Sequence, residues 1–299
     1  MLTASFLMLR REMAVSGVCC RGRAIKLIRM STPSLTSQAV ALTRARLDRP
    51  HSPDGDPDAQ RRLCQDMQFS APEWLLPSIG ARTRFVDDQV IRAIGGGTRQ
   101  IVICGAGYDD RALRFRASGV RFFELDHPAT QADKARLLRS IDATAPGVTL
   151  AEADFRCDDV AVVLHRAGHA AGLPTLFICE GLLVYLDRDT CHALLAALAR
   201  RAAAGSVLVV SMATHADGLD SGEVANAANA RRRNGDAEPW RTILPVAEHL
   251  ALVEQAGWTV TTTQWPPAPA ADVTHGRRAL LATAEPLAHE VTAAPGTSV

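Results

Sequence analysis

Three stretches hold residues whose types and spacing can do chemistry. "IVICGAGYDDRALRF" (101–115) runs from four apolar residues into Gly105 and Gly107, then into a charged stretch with helical spacing. A Gly-x-Gly turn between a strand and a helix lets the backbone approach a ligand, because glycine has no Cβ and tolerates unusual φ. Asp126 stands 19 residues after Gly107 in "RFFELDHP", and Asp154, followed by Phe155, closes the next apolar run in "AEADF". Each acid falls where a strand should end, so the turn and two carboxylates are expected along one edge of a sheet.

A turn built for a dinucleotide has a third small residue three positions after the second glycine, so that the helix packs closely and pyrophosphate rests on its N-terminus. Here that position is Asp110, next to Asp109. Carboxylates there would repel pyrophosphate and suit a ligand that is cationic near the turn, such as the sulfonium and amino groups of S-adenosylmethionine. Asp126 would then accept from ribose hydroxyls. Asp154 would accept from the adenine amino group, with Phe155 against the ring. Glu180, in "ICEGLLVYLD", ends a fourth strand and is expected to orient the methionine amino group, with Tyr185 lining the substrate pocket. Plainer roles exist for each: Asp126 as cap of the helix that Pro128 opens, Asp154 as a turn residue, Glu180 as a cap on local backbone and Tyr185 as packing.

The elements that would position these residues alternate. Strands are expected at Gln100–Cys104, Val120–Leu125, Val148–Ala153, Thr175–Cys179 and Ser206–Met212, with helices near 109–116, 128–141, 158–169 and 188–203. Amphipathic helices at 37–47 and 81–94 precede them and could fold over the core. Such βα repetition predicts an α/β fold with a doubly wound, mostly parallel seven-stranded sheet. After a helix at 243–256, "WTVTTTQW" (258–265) and "RRALLATA" (277–284) have no helix between them, which predicts a C-terminal antiparallel hairpin.

Composition narrows the function. The chain of 299 residues carries 33 Lys and Arg against 32 Asp and Glu, so it has no basic field to gather nucleic acid or a membrane surface. Seven cysteines without a Cys-x-x-Cys pair argue against a disulfide framework or a zinc site, and a cytoplasmic setting fits. His165, His169, His192 and His215 show no metal-ligand spacing, and no metal is expected. One domain is expected over 31–284, with 213–242 as a substrate-side insertion. Residues 1–30 read as a disordered or artefactual extension with Met30 as the functional start, and 285–299 as a flexible tail.

"TRFVDDQVIRAI", "QIVICGAGYDDRALRF", "FFELDHPATQADKARLL", "AEADF" and "PTLFICEGLLVYL" together resemble the leucine carboxyl methyltransferase-like family of S-adenosylmethionine-dependent enzymes, in particular its actinobacterial branch. The resemblance implies the class I methyltransferase type of sheet and cofactor contacts at Gly105, Asp126, Asp154, Phe155 and Glu180. It further implies that Arg82 or Arg84 holds the methionine carboxylate. Tyr108, Asp110 and Phe155 depart from the leucine, threonine and leucine usual in the branch.

These readings combine into an O-methyltransferase acting on a carboxylate of a small molecule or peptide, with Arg231, Arg232 and Arg233 neutralising the acceptor. No dedicated protein base is expected, because no histidine stands at an expected strand end. A phenolic or hydroxyl acceptor, an NAD(P)-dependent oxidoreductase and a non-catalytic binding module are the rivals.

Overall fold

The computed structural model describes residues 33–67, 73, 76–141, 147–231, 238–266 and 277–287 of the chain. Residues 1–32 and 288–299, which hold most of the expected extension and tail, lie outside the described residues.

β1 (Gln100–Cys104) and β4 (Thr175–Cys179) are buried along their whole length. That is the mark of central parallel strands covered by helices on both faces. β2 (Arg121–Asp126) and β3 (Val148–Glu152) extend the sheet on one side and β5 (Val207–His215) on the other, all in parallel. The strand order is β3-β2-β1-β4-β5, and two C-terminal strands complete the sheet beyond β5. A two-residue β6 (Leu244–Pro245) adds an eighth strand beside the end of β5, too short to leave a sequence pattern.

The C-terminal hairpin forms from β7 (Trp258–Gln264) and β8 (Arg277–Pro286). The last strand is the inner one: β8 inserts antiparallel between β5 and β7. Side chains explain the choice. Leu280, Leu281, Ala282 and Ala284 are buried, whereas the threonines of β7 tolerate an exposed edge. β8 also continues two residues beyond Ala284.

Helices α3 (Leu76–Gly95), α4 (Arg111–Arg114), α5 (Pro128–Ser140), α6 (Val160–Arg166), α7 (Arg188–Ala199) and α9 (Val246–Gln255) cover the sheet. One apolar cluster centres on Phe123, Phe177, Leu195 and Trp258, another on Ile101, Ile103, Phe122 and Val209. These lie on opposite faces, since alternate strand residues point to opposite sides.

Three differences from the sequence reading bear on the site. α2 (Ala59–Cys64) forms directly after the Pro-, Asp- and Gly-rich residues 48–58 and, with α1 (Leu35–Arg44), packs on Tyr108. α8 (Ser221–Arg231) occupies the connection after β5, where alanines and asparagines give little periodicity. β5 runs past Met212 to His215, so a histidine does stand at a strand end. α5 is capped by His127, whose Nδ1 accepts from Ala129 N–H at 3.3 Å, which leaves Asp126 free of the capping role.

His169 and His249 are buried, and burial first of all, with Arg201 and Arg121 beside His169, pushes each down to about 4. Both therefore fold as neutral rings, whereas in the unfolded chain they titrate at about 6.5. Stability should be full above that value and fall as pH drops from about 6.5 towards 4. Urea midpoints across this window check it, and a His169→Gln variant should show a shallower fall.

Candidate functional site

The glycine turn is shaped by its surroundings. Gly105 and Gly107 have φ of +66° and +50°, and a Cβ on Gly107 would lie 2.7 Å from Ser37 Cβ on α1. Only glycine lets α1 cover the turn this closely. Gly107 N–H donates to Asp126 Oδ2 at 2.6 Å and His127 N–H to Oδ1 at 2.7 Å, so the end of β2 is tied to the turn after β1. Burial pushes the Asp126 carboxyl up in pKa, opposed by those two N–H groups.

Asp154 follows β3 and is held by its own turn: Oδ1 accepts from Arg156 Nε at 2.9 Å and Oδ2 lies 2.8 Å from Arg156 Nη2. Burial would raise its pKa, but these bonds lower it. Phe155 is half-buried against the core.

Glu180 follows β4 and is almost fully enclosed. Its Oε1 lies 2.7 Å from Arg44 Nη2 and 2.8 Å from Arg82 Nε, and its Oε2 lies 2.7 Å from Arg111 Nη1. Burial opposes its ionisation, yet Arg44, Arg111 and Arg82 hold the carboxyl well below the usual range. Three guanidinium groups thus already occupy both oxygens that the sequence reading assigned to a methionine amino group.

Glu180 belongs to a larger lattice. Arg111, fully buried, also meets Asp87 at 2.7 Å and Asp109 at 2.6 Å. Arg44 meets Asp109 at 3.0 Å, Arg49 meets Asp87 at 2.8 Å and Asp110 at 2.6 Å, and Arg114 meets Asp110 at 2.7 Å. The expectation that Asp109 and Asp110 face a cationic ligand is therefore corrected: arginines enclose both. Burial is opposed at Asp110 by Arg49 and Arg114, which hold it at about 2. Among the described residues five guanidinium groups, those of Arg44, Arg49, Arg82, Arg111 and Arg114, meet four carboxylates, those of Asp87, Asp109, Asp110 and Glu180. The lattice carries one positive charge in excess. Its most exposed member is Arg82, 18% exposed, lying against Gly181.

Sequence reasoning missed Arg44, Arg49, Asp87, Arg111 and Arg114. Asp110 and Arg114 stand at helical i, i+4 spacing, the one local signal available. Of the two arginines proposed for a carboxylate, Arg82 joins the site and Arg84 is exposed.

On the far side, Tyr185 is half-buried in a 3-10 turn, Leu183–Tyr185. Arg241 N–H donates to Val184 O at 2.7 Å, and Val184 packs against a cluster of Ala225, Ala228 and Ile243. The connection after β5 thus folds back beside Tyr185. Arg231 ends α8, while its side chain, Arg232 and Arg233 lie outside the described residues. A cavity of about 140 Å³ lies between α4, α5, β2 and β3, but none of Asp126, Asp154 and Glu180 lines it. Among the described residues no cluster of His, Cys, Asp and Glu could hold a metal ion. No described helix is long and apolar enough to cross a membrane.

A parallel sheet with an antiparallel C-terminal insertion and a glycine turn facing strand-end acids defines the class I methyltransferase type of fold. The leucine carboxyl methyltransferase family matches residues 33–199, more than half of the chain, and the chain belongs to that family. A Streptomyces coelicolor protein is 39% identical over 158 residues, 52% of each chain, and a Frankia alni protein is 34% identical over 188 residues, 62% of this chain and 63% of the relative. Both names assign them to the S-adenosyl-L-methionine-dependent methyltransferases, without a substrate. The matches span about half to two thirds of those relatives' length. A crystal structure from Thermobifida fusca, titled a methyltransferase by assignment, aligns over 87% of this chain and 97% of that one, with a TM-score of 0.56 and 16% identity. At that identity the likeness concerns the fold.

Removing one partner of a buried charge network leaves the others uncompensated, at a cost of about 3–5 kcal/mol. Arg111→Met should lose about that much unfolding free energy in guanidinium titrations. The exposed Arg84→Met should change it by about 0.5 kcal/mol or less.

Proposed function

We propose that this chain transfers the methyl group of S-adenosylmethionine to an oxygen of a small-molecule or peptide acceptor, with a carboxylate as the simplest case. The observation that carries the reading is the convergence of Gly105 and Gly107, Asp126 and Asp154 at the ends of β1, β2 and β3, next to a lattice of net positive charge whose most exposed member is Arg82. In this reading Asp126 accepts from the ribose, Asp154 accepts from the adenine amino group and Phe155 packs on the ring. Arg82 pairs with the methionine carboxylate. Glu180 holds Arg82 in place. When bound, S-adenosylmethionine supplies a methyl group activated by its sulfonium.

A carboxylate acceptor, ionised near neutral pH with a pKa of about 4, asks the protein only to align it and exclude water. A hydroxyl acceptor such as a phenol, with a pKa of about 10, needs a proton acceptor. The extension of β5 to His215 supports this second reading, since it supplies the strand-end histidine that the sequence reading lacked. The nicotinamide rival has against it Asp110, buried between Arg49 and Arg114 where that fingerprint needs a small residue.

S-adenosylhomocysteine should raise the melting temperature and NADH should not. Product chemistry then separates the acceptors: a methyl ester is cleaved by mild alkali, and an aryl methyl ether survives it. Stabilisation by NADH alone would overturn the methyltransferase reading, and an alkali-stable product would overturn the carboxylate case only.

A further inference from the structure

The end of β5 holds a pair of side chains that the roles above leave without a task. Alternate strand residues share a face, so Ser211, Ala213 and His215 lie on one side of β5. Ser211 Oγ accepts from Gly181 N–H at 2.7 Å, directly after Glu180. Ala213 packs against the small cluster of Ala225, Ala228 and Ile243, as does Val184, directly before Tyr185. His215 is the next step along this face, and α8 closes over it with its first residue, Ser221. The face thus runs from the cofactor end of the proposed site along the acceptor side to the histidine.

The hydrogen bonds settle the direction of the pair. His215 Nδ1 lies 2.7 Å from the carbonyl oxygen of Ala216, which can only accept, so Nδ1 carries the hydrogen. In the neutral ring Nε2 is then a bare acceptor, and Ser221 Oγ stands 2.8 Å from it. Ser221 gives its hydrogen inward and keeps lone pairs for a further donor. His215 is 3% exposed, whereas Ser221 is only half-buried, so a ligand would meet the serine and reach the histidine through it.

We infer that Ser221 and His215 form a proton relay on the acceptor side that selects a hydroxyl group for methylation. The inference rests on the methyltransferase reading and takes the second of its two acceptors. The acceptor oxygen forms the new O–CH₃ bond while the C–S bond breaks and its electron pair returns to sulfur, leaving S-adenosylhomocysteine. The acceptor proton passes to Ser221 Oγ as the Ser221 proton passes to His215 Nε2. The resulting imidazolium keeps its Nδ1–H on Ala216 O and later releases one proton to water. An ionised carboxylate has no proton to give and would meet the lone pairs of Ser221.

The test uses the full chain saturated with S-adenosylhomocysteine, with phenol and benzoate as probes and the ¹⁵N signals of the His215 ring as readout, assigned by their loss in His215→Gln. Phenol should shift the Nε2 signal and benzoate should not. Ser221→Ala should bind phenol about tenfold more weakly, the loss of one hydrogen bond, while binding S-adenosylhomocysteine as the wild type does. A pair that only fastens α8 to β5 would lower the melting temperature in Ser221→Ala and leave the phenol response intact. That result, an unmoved His215 signal with phenol, or an equal shift with benzoate would overturn the relay. Failure of the wild-type chain to bind S-adenosylhomocysteine would instead overturn the methyltransferase reading beneath it.

Discussion

A guanidinium group with no surface in water must be surrounded by carboxylates, and meeting that demand for Arg111 organises the rest of the molecule. Its three acids come from α3, the glycine turn and the end of β4. Asp87 and Asp109, once buried, draw in Arg49 and Arg44 from the N-terminal segment. Desolvating so many charges is expensive, and each group stays ionised only because its partners are already in place. The helices around the site are therefore fixed relative to one another before any ligand arrives.

Two consequences follow for the proposed chemistry. The N-terminal segment is part of the site, since α1 lies on Gly107 and its Arg44 reaches both Asp109 and Glu180. The lattice also has one positive charge in excess, and Arg82 is its most exposed member. The acceptor side is built differently. α8 packs through Ala225 and Ala228 on Ile243, and its polar ties are uncharged hydrogen bonds such as the reciprocal pair between the Asn229 side chain and the Trp240 backbone. Cofactor specificity would come from the charged half, and acceptor choice from the lighter half.

The sheet was legible because its strands are short apolar runs separated by amphipathic helices. The glycine turn and the acids Asp126 and Asp154 were legible because strand ends are local features. Partnership was not: nothing near Glu180 in the chain indicates that Arg44, Arg82 and Arg111 will enclose it, since those pairs join distant segments. Reading Asp109 and Asp110 as facing a ligand failed for the same reason. His215 was missed because β5 continues through Ala213 and Thr214, where β8 and β6 rather than hydrophobicity define the strand. The inner place of β8 was likewise set by comparison between two strands, not by either alone.

The most direct measurement is a calorimetric titration of S-adenosylhomocysteine into the wild-type chain and Asp126→Ala. Each Asp126 oxygen accepts one backbone N–H and keeps a further lone pair, which in the proposed reading accepts from a ribose hydroxyl, and a charge-assisted pair of such bonds contributes about 2–4 kcal/mol. The wild type should show one binding site and the variant an affinity about 30- to 1,000-fold weaker, with its unfolding midpoint little changed. Equal affinity in the two proteins would contradict that role for Asp126.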